Sequence, residues 1–143
     1  MDSIVPYMAG FFDGEGCIRI ARRNNGGFDF LMSATQVNVE PLKVFHERYG
    51  GMLIVQRKSL QNPKHRDCWV WKISSNASKI ALTEMLPCLI VKKPQAIIAL
   101  KFLEATRDHN RGKSKFLSWE ELKVKEEAYE EMKRLKIMIH TAP

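Results

Sequence analysis

The stretch Met8-Ala9-Gly10-Phe11-Phe12-Asp13-Gly14-Glu15-Gly16 sets two small residues inside an apolar run and closes it on two carboxylates spaced by glycine. Upstream, Asp2 or Ser3 offers a side-chain oxygen to the first free N–H groups of a helix. Ile4, Val5, Tyr7, Met8, Phe11 and Phe12 then make that helix apolar on nearly every side, so it must be buried. Ala9 and Gly10 fill a core poorly, but they allow a second helix backbone to approach closely. Gly14 and Gly16 are expected to stop the helix by adopting positive φ, which costs glycine nothing sterically. Glu15, held between them on a stiff turn, is then an oxygen ligand for a hard divalent cation with room left for water and phosphate. Taken alone, D-G-E-G reads first as a polar helix stop with no chemistry, and the ligand reading comes second.

Outward from this segment the period changes from helical to two. In Cys17–Arg23, Ile18 and Ile20 share one face, and Cys17, Arg19, Ala21 and Arg23 the other. Asn24-Asn25-Gly26-Gly27 supplies a hairpin turn, and Phe28–Gln36 returns with Phe28, Phe30, Met32 and Ala34 on one face and Asp29, Leu31, Ser33 and Thr35 on the other. Asn38 caps a helix running to about Tyr49, with Pro41 tolerated in its first turn, Leu42 and Phe45 inward, and Gly50-Gly51 ending it. Met52–Lys58 and Cys68–Ser74 form a second hairpin across the polar loop Ser59–Asp67, with Trp69 and Trp71 packed beneath the sheet. A third helix opens at Asn76 or Ser78, a fourth covers Pro94–Ala105, and a polar, basic linker occupies Arg107–Lys115. Ser118 and Glu121 form a capping box for a last helix within residues 117–137. The order helix–hairpin–helix–hairpin–helix–helix gives an α+β fold over one domain, residues 1–143, with helices on one face of an antiparallel sheet and the opposite face open.

Composition limits the functions such a fold can serve. With 143 residues, 45% of them hydrophobic, the chain has enough apolar material for a real core. Its 23 Lys+Arg against 16 Asp+Glu give a net charge of +7, which suits a polyanionic partner. Cys17, Cys68 and Cys88 are odd in number and widely spaced, and the four histidines are scattered, so neither a disulfide framework nor a zinc site is expected and an intracellular, reducing compartment is. No apolar run approaches the roughly 18 residues of a membrane span, and no membrane partner is expected.

Met8–Gly16 resembles the L-A-G-L-I-D-A-D-G motif of the homing endonucleases that carry that name, with Met8 for the first leucine, Phe11-Phe12 for the apolar pair, Gly14 for alanine and Glu15 for the last aspartate. Thr35-Gln36, Gly50-Gly51, Trp71–Ser74 and the run from Leu86 to Ala96 follow in the family's order and at approximately its spacing; only the last 30 or so residues lack a match. The resemblance implies a saddle-shaped sheet laid along the major groove of double-stranded DNA. Strand alternation then places Arg19, Ala21, Arg23, Asp29, Leu31 and Ser33 on the DNA face, with Gln56, Lys58 and Lys72 from the second hairpin. It also implies a site-specific endonuclease making a metal-dependent double-strand break in a long, roughly palindromic target. In it Glu15 and the Gly14 carbonyl hold Mg2+ (or Mn2+ or Ca2+ at the same site), Gln36 orients water, and Lys92, or the adjacent Lys93, supports the charge that develops. The family's additional arginine falls near Glu40, with Lys43 the nearest cation. Because the motif occurs once, the resemblance implies a homodimer joined through Met8, Ala9, Gly10, Phe12 and Asp13. Relatives that splice intron RNA, or bind DNA without cutting it, offer the alternative roles.

Overall fold

A computed structural model describes residues 3–105 and 119–140. Helix α1 (Ile4–Glu15) leads directly into strand β1 (Gly16–Arg22), which turns into β2 (Phe28–Gln36). Helix α2 (Glu40–Tyr49), strands β3 (Met52–Gln56) and β4 (Cys68–Ile73), and helices α3 (Ser75–Met85), α4 (Lys93–Ala105) and α5 (Trp119–His140) follow. The four strands are antiparallel neighbours in the order β1-β2-β4-β3.

The alternating pattern decides which surface faces inward. Ile18, Ile20, Phe28, Met32, Ala34, Trp71 and Ile73 point into one core, where they meet Leu42 and Phe45 of α2, Leu82 and Met85 of α3, and Phe102 of α4. Trp71 is fully buried against the Phe45 ring, 4.9 Å between centroids, and its indole N–H donates to the Gly50 carbonyl. Trp69 and Trp71 therefore serve packing. The helices cover only this side of the sheet, as the α+β expectation required. Helix α5 also closes the β1 edge: Lys136 Nζ donates to the Ile18 carbonyl at 2.5 Å, and Arg22 is held by Glu126 and Glu130 with its guanidinium over the Tyr129 ring. A covered edge cannot pair with another strand.

Several boundaries differ from the sequence expectation for identifiable reasons. Helix α1 does not stop at a positive-φ glycine: Gly14 lies inside it, and Gly16 is extended at φ −81°, its N–H bonding to the Phe12 carbonyl. Gly16 is required because a Cβ there would sit 2.1 Å from the ring of fully buried Phe12. Gly16→Ala should accordingly destabilise the fold by about 1–3 kcal/mol, the usual cost of forcing bulk into a packed core, read as a lower melting temperature. Positive φ is needed instead at Gly26 in the first hairpin and at Gly50 and Gly51 after α2. Neither expected cap forms: Ser3 makes no side-chain bond to α1, and α2 has Val39 at its cap position with no side-chain cap, while Asn38, one residue earlier, accepts from the Glu40 N–H at 3.0 Å in a turn that leads into the helix. Helix α3 starts at Ser75, ahead of Asn76, and α5 runs to His140. Strand β3 ends at Gln56, and Lys58 opens a 3₁₀ turn. The basic linker Arg107–Lys115 and the capping residue Ser118 lie outside the described residues. Among those described, no helix is long and apolar enough to cross a membrane.

Candidate nuclease centre and DNA face

Three distant segments converge at one end of the sheet. Helix α1 delivers exposed Glu15 to the start of β1, and the β1–β2 register pairs Gly16 with Ala34. Gln36, two residues beyond that pair, finishes β2 beside the last turn of α1. Its Oε1 accepts from the Val37 N–H at 2.8 Å, which leaves its NH2 end to donate elsewhere. The third segment is tied down by Asp13. One carboxylate oxygen accepts from the Ile90 N–H and the other from the Lys92 N–H, each at 2.9 Å. Lys92 Nζ in turn donates to the Asp13 carbonyl at 2.9 Å. These bonds bring Lys92, and not the exposed Lys93 at the head of α4, within two residues of Glu15. Lys43 is paired with Glu40 at 3.1 Å on the exposed side of α2.

The donors at this end suit a hard cation. Glu15 makes no hydrogen bond or ion pair with another described residue, so its carboxylate is available. The Phe12 carbonyl is taken by Gly16 and that of Asp13 by Lys92, but Gly14 has no helical partner because the helix ends one residue later. The negative end of the α1 dipole adds to the attraction. A single carboxylate is too few to enclose an ion, and no group of three His, Cys, Asp or Glu gathers among the described residues. For a cation to be held at this end, phosphate, water or a second chain would have to complete its coordination.

The two flanks of α1 have different roles from those the motif suggested. Met8, Ala9 and Phe12 are fully buried in the chain's own core and cannot touch a second chain. Asp13 is occupied as the anchor of residues 90–92. The exposed stripe is Tyr7, Gly10 and Gly14, one turn apart each time, and a Cβ added at either glycine would meet nothing within 4 Å. Exposed Ile90 and Val91 lie next to it on the segment that Asp13 holds.

On the outer face of the sheet the register sets Arg19 opposite Leu31, Ala21 opposite Asp29, and Cys17 opposite Ser33, which pairs onward with Lys72. Gln56 continues this face at its far end, opposite Cys68. Lys58 does not belong to it, because its backbone has left the strand. Arg23 lies just past β1, and its side chain folds onto Asp29: Nε is 2.6 Å and Nη2 2.5 Å from the same carboxylate oxygen. That hydrogen bond, then the charge of Asp29, raises the guanidinium pKa further above its ordinary value. A shallow depression lined by Arg19, Ala21, Asp29, Phe30 and Leu31 opens beside the pair. Strand alternation in the sequence places Arg19, Ala21, Asp29, Leu31, Ser33, Gln56 and Lys72 on this face but misplaces Lys58, and it reveals neither the Arg23–Asp29 pair nor the Asp13–Lys92 anchor. The six-residue hairpin separation made the first findable, whereas 79 residues separate the partners of the second.

No sequence-family model matches the chain, and no curated protein is similar to it in sequence. Its fold does have solved counterparts. The archaeal intron-encoded homing endonuclease I-Vdi141I, complexed with DNA, superposes with a TM-score of 0.69 at 21% identity, over 93% of this chain and 84% of that one. The homing endonuclease I-CvuI with its target in 2 mM Ca gives 0.56 at 19% identity, over 72% and 67% of the two chains. The same enzyme on the I-CreI target in 2 mM Mg, with DNA not cleaved, gives 0.56 at 14% identity over 92% and 95%. The chain thus has the fold of the L-A-G-L-I-D-A-D-G homing endonucleases, the family that its Met8–Gly16 segment resembles.

Proposed function

We propose that this protein is a site-specific DNA endonuclease that acts as a homodimer and requires a divalent cation, making a double-strand break in a long, roughly palindromic target. The observation that carries the reading is the convergence of Glu15, Gln36 and Lys92 at the end of an open sheet face. A magnesium ion held by Glu15 and the Gly14 carbonyl, with Mn2+ or Ca2+ as occupants of the same site, would acidify water and shield phosphate charge. The chain's own side chains supply the rest. The Gln36 side chain, at the end of β2, would orient the attacking water beside the scissile phosphate. The Lys92 ammonium, its position set through Asp13, faces the negative charge that accumulates as the leaving oxygen departs.

One carboxylate per chain supports two chains per cut, with each Glu15 serving one strand. The Tyr7-Gly10-Gly14 stripe supports the same conclusion, because it offers an exposed apolar helix surface with no side-chain bulk at its middle. Double-stranded DNA suits the outer face, on which Arg19, Lys72 and Gln56 carry donors for base edges and phosphates. A reducing compartment suits the three free cysteines Cys17, Cys68 and Cys88.

The test uses the full chain and a pool of randomised duplexes with magnesium. Recovery of one cut sequence with approximate twofold symmetry, and loss of the cut on chelation, is the expected result. Capture of duplexes that are never cut with any divalent cation would leave a DNA-binding protein and remove the enzyme; preference for structured RNA over every duplex would favour a splicing role.

A further inference from the structure

The Arg23–Asp29 pair stands at the tip of the first hairpin on the open face, with both side chains more than half exposed, at 52% and 59%. A pair so exposed contributes little to folding. On a surface meant for a polyanion, a carboxylate is also unfavourable, because each phosphate brought near it is repelled. Asp29 is therefore out of place unless it does something that affinity does not measure.

Its geometry shows what that is. One carboxylate oxygen takes both the Nε and the Nη2 side of Arg23. Of the five guanidinium N–H groups, the Nε–H bond and the close Nη2 contact turn that side toward Asp29, and two of the three groups left, one on each Nη, form the end-on fork. Two parallel donors in that spacing match the O6 and N7 acceptors of guanine, the pairing that distinguishes G·C from every other base pair in the major groove. Phosphate offers no such constraint, since an unheld arginine satisfies it from many rotamers. The second Asp29 oxygen remains an acceptor.

We propose that Asp29 is a positioning residue that locks the Arg23 guanidinium end-on toward one guanine in each half-site, exchanging general affinity for base discrimination. The proposal rests on the DNA-binding reading above and names a base and a residue pair which that reading leaves open. Loss of Asp29 should then have two opposite effects. Discrimination at one base pair falls, because Arg23 becomes free to take phosphate. Affinity for duplexes lacking that guanine rises, because a negative charge has left the phosphate face.

The experiment starts with selection of bound duplexes from a randomised pool by the unmodified full chain. If no sequence is enriched, the DNA-binding reading itself fails. With a selected duplex in hand, each G·C pair is replaced in turn and affinity is measured for the unmodified chain, Asp29→Ala and Arg23→Lys, with circular dichroism confirming that all three are folded. One guanine per half-site should matter about 5- to 150-fold to the unmodified protein and less than about twofold to either variant, with the other positions unchanged. Asp29→Ala should bind the guanine-less duplex more tightly than the unmodified protein does, and Arg23→Lys should retain the salt slope of the original. Discrimination that survives Asp29→Ala at every base pair, or an equal loss of affinity for all duplexes, would overturn the proposal.

Discussion

Glu15→Gln should abolish magnesium-dependent cutting of both DNA strands while leaving folding, dimer formation and specific DNA binding intact. The substitution preserves shape and removes charge. Nothing in the fold relies on that charge, since Glu15 is exposed and makes no polar contact with another described residue. A hard cation, by contrast, takes anionic oxygen ligands, and a neutral amide cannot replace the carboxylate's share of that interaction. The expected loss is at least about 10²-fold in the single-turnover rate at saturating DNA, the scale on which removing one electrostatic contributor to a transition state is felt. Binding in the absence of metal should be unchanged or slightly tighter, because in the proposed dimer two carboxylates would approach each other and the phosphates. Melting without metal should coincide with that of the unmodified protein. Glu15→Gln cutting at close to the original rate would show that the cation is held elsewhere and that the motif serves packing alone.

The fold was legible in the sequence wherever a pattern had only one physical solution. Alternation in Cys17–Arg23 and Phe28–Gln36 fixes two faces of a hairpin, because shifting either strand by one residue would turn Ile18, Ile20 and Met32 out to solvent. Gly26, Gly50 and Gly51 occupy positive φ where the turns require it. The orientation of α1 was not legible for the opposite reason. A helix apolar on nearly every side gives no direction to its burial, so Ala9 and Gly10 looked alike as small residues, although they point about 100° apart. Only the placement of α2, α3 and the sheet around α1 decides that Met8, Ala9 and Phe12 face the core and that Gly10 and Gly14 do not. The end of β3 failed similarly, since Gln56, Arg57 and Lys58 are all polar and carry no period. In the candidate centre, motif resemblance supplied Glu15, Gln36 and Lys92; why Lys92 arrives there is tertiary information, written in the two oxygens of Asp13.

The reorientation of α1 changes the test of the dimer. Gly10→Leu should stabilise the isolated chain and dissociate the dimer, two effects of opposite sign from one substitution. Within the chain, Gly10 is exposed and a Cβ there meets nothing within 4 Å, so the new side chain can extend toward solvent rather than into the core. Replacing a helix-interior glycine by a good helix former favours the helix by about 0.8–1 kcal/mol. Between chains the same side chain occupies the line along which two α1 backbones would approach, and helices held apart by leucine lose the close contact that the Tyr7-Gly10-Gly14 stripe permits. The variant should therefore sediment as a folded monomer with an unchanged or higher melting temperature at low concentration. It should bind half-site DNA with little change and fail to make double-strand breaks, because no second Glu15 is delivered to the other strand. Ala9→Leu is the contrasting case: Ala9 is fully buried in the core, so overpacking should lower stability by about 1–3 kcal/mol before any effect on assembly is seen. Sedimentation of the unmodified protein as a monomer at micromolar concentration, with and without its DNA, would remove the dimer; retention of the dimer by Gly10→Leu would move its interface away from α1.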